Sequence, residues 1–149
     1  MILAPHMLAG AALATAIHHP ALLALSALGL HYLLDVAPHW EYDIMASKKA
    51  AVCKITADIT AGLLIIFFIM QRFAPAEQAL ILWGAFFGIM PDGLLAIYLF
   101  SHGKYLRRLA RFHIFWHTRI VPHKTHPPLW LGVTTQLLVV AASLFLLLR

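Results

Sequence analysis

Three side chains able to bind a metal ion close the second apolar stretch of the chain, in His31-Tyr-Leu-Leu-Asp35-Val-Ala-Pro-His39. The i, i+4 spacing of His31 and Asp35 puts them on one helix face, with Cβ atoms about 5–6 Å apart. Both can then reach one ion without distorting the backbone, and Pro38 ends the helix so that His39 can turn back toward the same point. An interfacial helix end, where His, Trp and Tyr sit at headgroup level, accounts well for Trp40 and Tyr42. It accounts less well for an Asp in a lipid-exposed helix, which costs about 2.5–3.5 kcal/mol on insertion scales. His113 and His117, in Phe112-His-Ile-Phe-Trp-His117, repeat the same spacing. At about 100° per residue they fall opposite Lys104, Arg107, Arg108 and Arg111 and beside Leu106, Leu109 and Ala110, so they are expected to point into the protein.

Asp92 stands in Gly88-Ile-Met-Pro-Asp-Gly93. Pro91 removes a backbone donor there and the glycines loosen the helix. Broken helices at membrane depth are tolerated where they line a cavity, which makes Asp92 a candidate ligand or general base, the alternative being a helix cap. Asp58 is a second candidate base; an i−4 ion pair with Lys54 is its alternative role. His6 is a lone histidine followed by small residues that permit close helix packing, so structural and ligand roles weigh equally. His123 and His126 read as loop or interface residues. Arg107, Arg108 and Arg111 are expected to meet anionic lipid headgroups.

The elements that carry these residues are apolar. Of the 149 residues, 62% are hydrophobic and 11% charged, and the mean hydropathy is +0.82. A soluble domain is about half apolar, so the composition points to a membrane protein. Five apolar segments stand out, at about 4–17, 21–37, 50–70, 78–100 and 129–148, the fourth interrupted at Gly88–Gly93. The expected fold is all-α, a polytopic membrane bundle of about five hydrophobic helices plus a basic amphipathic helix, in one domain. Lys48, Lys49 and Lys54 flank the loop after segment two, and six Lys and Arg residues between Lys104 and Lys124 follow segment four. Basic loops face the cytoplasm, so both loops and the N-terminus are expected there, and with them every candidate ligand. The net charge of +5 has the same explanation and no base-stacking motif accompanies it, so no nucleic-acid partner is expected. Cys53 is the single cysteine, which excludes an intramolecular disulfide and a Cys-rich zinc module. No Lys or Arg precedes the first apolar segment, so a cleaved signal peptide is not expected.

His6-Met-Leu-Ala-Gly10, His31 to His39, Gly88-Ile-Met-Pro-Asp92 and His113 to His117 together resemble a family of small bacterial and archaeal inner-membrane proteins described as metal-dependent hydrolases. That family carries H-x-x-x-G, H-x-x-x-D-x-x-P-H in a subgroup, G-x-x-P-D and a closing H-x-x-x-H. The likeness touches four of the five segments. Two positions depart from it: Gly93 stands near where longer forms place another acid, and Thr118-Arg119 replace the Ser after the last histidine. The resemblance implies hydrolysis and a divalent metal. The histidine content favours zinc, as one or two ions, with Mn²⁺ or Fe²⁺ possible where carboxylates contribute. His31, Asp35, His113 and His117 would form most of the ligand set, completed by His39, His6 and Asp92, with Asp92 or Asp58 accepting a proton from water. An amphiphilic, lipid-like ester or phosphoester is the expected substrate at headgroup depth. Metal-ion or proton transport and a metal-stabilised scaffold are the alternatives. Haem is disfavoured because the histidines lie at one depth among carboxylates.

Overall fold

The computed structural model describes residues 1–40, 47–120 and 127–149, and the regular structure among them is helical throughout. The helices are α1 (Leu3–Leu13), α2 (Pro20–Val36), α3 (Lys48–Met70), α4 (Pro75–Phe100), α5 (Arg107–Phe115) and α6 (Leu129–Leu148); a wider, π-type turn at Trp116–Ile120 prolongs α5. Local chemistry starts several of them. Pro20 and Pro75 occupy first-turn positions, where the missing N–H has no intrahelical partner to lose. The His19 ring accepts from the Leu22 N–H at 3.4 Å, and Ser47 Oγ accepts from the Ala50 N–H at 3.4 Å. Glu77 reaches back to the Ala74 N–H at 2.9 Å.

Three helices, α3, α4 and α6, are long and apolar enough to cross a bilayer. Their outer faces are apolar and exposed, as at Phe68 and Leu138, which fits a surface solvated by lipid rather than water. The two other apolar helices are shorter: α2 has 17 residues and α1 has 11, about 25 and 16 Å at 1.5 Å per residue. The first segment therefore forms a shorter helix than its apolar sequence suggests, and α1 is buried almost all round, from Pro5 to Ala12. A helix apolar on every side and packed by protein on every side belongs inside a bundle. The fourth segment is also revised. Pro91 sits inside an uninterrupted α4 of 26 residues, because neighbouring helices can satisfy the carbonyl groups that it leaves.

Cross-helix contacts give the directions. His6 and Gly10 of α1 meet Gly88 and Gly84 of α4, so these two helices are antiparallel. Pro20 and His31 of α2 bond to Trp83 and Gly88, so α2 runs with α4. Asp58 of α3 and Gln136 of α6 both meet the start of α1. The N-termini of α1, α3 and α6 therefore share one end of the bundle with the C-termini of α2 and α4. α1 lies in the middle, and its Met7, Leu8, Ala11 and Ala12 enter the core with Leu23, Ile66, Ile81 and Ala85.

At the α1–α4 crossing the two backbones touch. A Cβ at Gly10 would overlap the Gly84 carbonyl, one at Gly84 would overlap the Gly10 carbonyl, and one at Gly88 would overlap the carbonyl of His6. Small residues at i, i+4 allow such an approach between apolar helices. Gly29, by contrast, faces open space. Gly84→Ala is expected to destabilise the bundle by about 1–3 kcal/mol, the usual cost of overpacking, read as an earlier thermal transition in detergent. Gly29→Ala should be neutral or raise stability by up to about 1 kcal/mol.

Candidate metal centre

The α1–α4 contact brings His6 beside two residues of α2 and one of α4. His6, His31 and Asp35 are each about 1% exposed. The His6 and His31 rings stack with centroids 4.2 Å apart. His31 Nδ1 lies 2.8 Å from the Gly88 carbonyl oxygen. That oxygen can only accept, so Nδ1 carries the proton and Nε2 of the neutral ring presents a lone pair. A ring nitrogen held by a backbone carbonyl while the other faces inward is the usual arrangement of a metal-bound histidine.

What faces His31 Nε2 is chiefly acceptors. Asp35 Oδ2 lies 3.3 Å away and Asp92 Oδ1 4.0 Å away. His31 Nε2, Asp35 Oδ2 and Asp92 Oδ2 are buried without a hydrogen-bond partner. The same is true of Nδ1 of His6 and of His113. On the other side of Asp35, Oδ1 accepts from His6 Nε2 and from the Met1 α-amino group, each at 3.0 Å.

α5 and its π-type turn close the cluster. The Trp116 indole N–H donates to the Tyr32 carbonyl at 2.9 Å, and the Tyr32 ring meets Trp116 and Phe112 edge to face, each at 5.3 Å. That aromatic clamp fixes α5 against α2. It places His113 Nε2 3.3 Å from Asp92 Oδ1 and His117 Nε2 3.1 Å from Asp35 Oδ2. His113 is buried, as its place opposite the arginines implied, whereas Leu109 on the neighbouring face is exposed.

Two triads, His6–His31–Asp92 and His31–Asp35–His113, each offer ligand atoms within 4.8 Å of one another. Atoms bound to one ion at about 2.1 Å stand about 3.0–3.4 Å apart in octahedral or tetrahedral geometry. His31 Nε2 and His117 Nε2, 3.3 and 3.1 Å from Asp35 Oδ2, fall in that interval, while Asp92 Oδ1 at 4.0 Å from His31 Nε2 stands outside it. The donor set, imidazole nitrogen with carboxylate oxygen and no sulfur, suits zinc, manganese or ferrous iron. These residues therefore fit a divalent ion, and because the triads share His31 they fit one ion more simply than two independent ones.

The remaining candidates separate. His39 is 8% exposed and its Nδ1 donates to the Ala37 carbonyl at 2.7 Å. Its ring centroid is 6.3 Å from that of His117, and it belongs to neither triad. Asp58 stands outside the cluster. Its Oδ2 accepts from the N–H groups of Leu3 and Ala4, at 2.6 and 3.1 Å, so it caps α1 from another helix, and no Lys54 pair forms among the described residues. This role fits a positioning residue. Trp40, just after α2, donates to the Pro127 carbonyl at 3.1 Å and packs on Gly132 of α6. Tyr42, His123 and His126 lie outside the described residues.

The fold and the cluster define a class: an all-helical apolar bundle enclosing a histidine–carboxylate site that could hold a metal ion. No protein-family profile, no curated protein and no solved structure matches the chain. The capping role of Asp58 is open to a direct check. Asp58→Ala should cost about 0.5–2 kcal/mol, as loss of an N-cap does, while Asp58→Asn recovers most of it. Thermal unfolding in detergent reads both variants, and an Asp58→Asn as unstable as Asp58→Ala would overturn the capping role.

Proposed function

We propose that the protein is a membrane-embedded hydrolase that depends on a divalent metal, zinc being favoured by the histidine-rich donor set, and that it cleaves an amphiphilic ester or phosphoester at headgroup level. The observation that carries this reading is the convergence of three buried atoms without a hydrogen bond, His31 Nε2, Asp35 Oδ2 and Asp92 Oδ2, with the ring nitrogens of His113 and His117 3.3 and 3.1 Å from the two carboxylates. Asp35 Oδ1 has the Met1 α-amino group as a cation, but among the described residues no lysine or arginine pairs with Asp92, and burying a carboxylate without a full partner is costly. The resemblance of the motifs to metal-dependent hydrolases supports the same reading.

His31, Asp35 and His113 would hold the ion, with His6, His117 and Asp92 around it; His39 stands further off. Bound there, the ion supplies Lewis-acid polarisation of an ester oxygen and acidifies water. Asp92 is the base: Oδ1 faces His113 and His31, Oδ2 has no hydrogen-bond partner, and the side chain is 23% exposed beside a cleft that can admit substrate. Asp35, 1% exposed, orients the histidines. The basic residues Lys49, Lys54, Lys104, Arg107, Arg108 and Arg111 belong to the end of the bundle that holds the cluster, which supports a cytoplasmic orientation of this end toward anionic headgroups, in a bacterial or archaeal inner membrane with the N-terminus inside. Transport has less support. The hydroxyls of Thr135 and Ser143 and the Gln136 amide N–H donate to carbonyls of their own helix, so the polar groups of α6, with Thr134, give a transport path little to build on.

Metal analysis of protein purified in detergent without chelators tests the reading. Wild type should carry stoichiometric zinc or another transition metal. His31→Ala and His113→Ala, on different helices, should each lose it while keeping helical content and monodispersity. A wild type that stays empty after metal addition would sink the proposal.

A further inference from the structure

The histidine–carboxylate cluster borders a cleft of about 390 Å³ between α3, α4 and α5. Its walls are hydrocarbon: Ile55 and Ile59 from α3, and Ile89, Leu95, Ala96 and Leu99 from α4. Among the described residues, the polar residues that line it are those of the cluster, Asp92, His113 and His117, together with Thr118 and Met1, whose α-amino group is bonded to Asp35. The Thr118 hydroxyl is already spent on the Ile114 carbonyl at 2.8 Å. The cleft thus has one polar end, where Asp92 keeps a buried oxygen without a hydrogen-bond partner.

Size sets a scale for the occupant. A volume of about 390 Å³ lies at the lower end of the range of small-molecule sites, about 300–1,000 Å³, and is enough to seat one hydrocarbon chain. Charge limits it further. Ile114 lines the cleft, and Arg111 and Arg107 precede it at i−3 and i−7 on the same face of α5, both exposed. A cleft with hydrocarbon walls, a histidine–carboxylate cluster at its polar end and two exposed arginines on the helix face that carries Ile114 suits an anionic head carried on an apolar tail.

We infer that this cleft binds the single hydrocarbon chain of an anionic, phosphate-bearing amphiphile and sets its headgroup against Asp92, His113 and His117. The headgroup part rests on the hydrolase reading; the chain part rests on the cleft alone. An acyl chain, as in a lysophospholipid, and a prenyl chain, as in a prenyl phosphate, offer the same chemistry.

Gly93 allows a clean test. It lines the cleft and has nothing within 4 Å of where a Cβ would stand. Gly93→Leu therefore fills the cleft without displacing the fold, and leucine is the better helix former. Native mass spectrometry of the protein in phosphatidylcholine nanodiscs would follow binding of palmitoyl lysophosphatidylglycerol, farnesyl phosphate and dipalmitoyl phosphatidylglycerol. The wild type should bind one equivalent of a single-chain probe and prefer it over the diacyl lipid. Gly93→Leu should weaken that binding about tenfold or more, a loss of about 1.4 kcal/mol, with metal content unchanged. Which of the two single-chain probes binds tighter identifies the chain type. Arg107→Ala with Arg111→Ala should weaken phosphate-bearing probes and spare monopalmitoylglycerol. Equal affinity in wild type and Gly93→Leu, preference for the diacyl lipid, or no binding of either single-chain probe would overturn the inference. Single-chain binding retained in a metal-free His31→Ala variant would show the cleft reading standing even where the metal reading fails.

Discussion

Gly88 is where three helices meet, and the site depends on its having no side chain. The His6 carbonyl of α1 packs where a Cβ would stand. The Gly88 carbonyl accepts the Nδ1–H of His31 from α2, and Asp92 projects from α4 one turn further along the same helix. Gly88 thus shares with Gly10 and Gly84 in setting the separation of α1 from α4, and it fixes the tautomer of His31. A methyl group there would push His6 away from Asp35. Pro91 acts in the same turn. It withholds the N–H that would close onto Phe87, and nearby carbonyl groups then become easier to share with side chains from other helices.

The electrostatics follow from that geometry. Asp35 and Asp92 are brought together in an apolar bundle, and among the described residues no lysine or arginine side chain pairs with either. Their compensation comes from His6, His31, His113 and His117 and from the Met1 amino group. The N-terminus of α1 adds its partial positive charge near Asp35, with Asp58 on its first N–H groups. Imidazole can answer a carboxylate as a donor or as a ligand beside it on a cation. His6 takes the first role toward Asp35 Oδ1. His31 has spent its donor on Gly88, so only protonation or a cation can make its approach to Asp35 Oδ2 favourable. An imidazolium in such a place would carry its own desolvation cost. A divalent ion instead satisfies several lone pairs at once, which is why the arrangement reads as a ligand set.

Those parts of the site that lie within one helix were legible in the sequence. His31 with Asp35, and His113 with His117, follow from the i, i+4 geometry alone, and the inward direction of His113 follows from the arginines opposite. What was missed is what helices do to one another. The Gly84-x-x-x-Gly88 spacing was a readable sign of close helix approach, but only His6–Gly10 and Gly88–Gly93 drew notice. Asp58 was judged against Lys54, its neighbour in sequence, whereas its partners are 54 and 55 residues away. The all-apolar pattern of α1 could have marked it as an interior helix, since a span exposed to lipid and one enclosed by protein look alike in hydropathy but differ in length. Sequence alone places Trp40 at an interface; the indoles of Trp40 and Trp116 donate between segments 87 and 84 residues apart.

α5 differs from the rest of the site in what holds it. Nine residues do not make a stable helix alone, and α5 starts from a strained turn in which His102 and Leu106 adopt positive φ values of 52° and 60°. A bulky residue in that region persists only where surrounding contacts over-determine it. Those contacts are the Tyr32–Trp116 clamp and the approach of His113 and His117 to Asp92 and Asp35. α1, α2 and α4 are held by buried apolar packing, so His6, His31, Asp35 and Asp92 are set whether or not α5 is seated. Any cation bound jointly by both sets then stabilises the seated position of α5 by mass action. Because α5 also supplies one wall of the cleft, occupation of the histidine cluster and the shape of the cleft are linked through a single short helix.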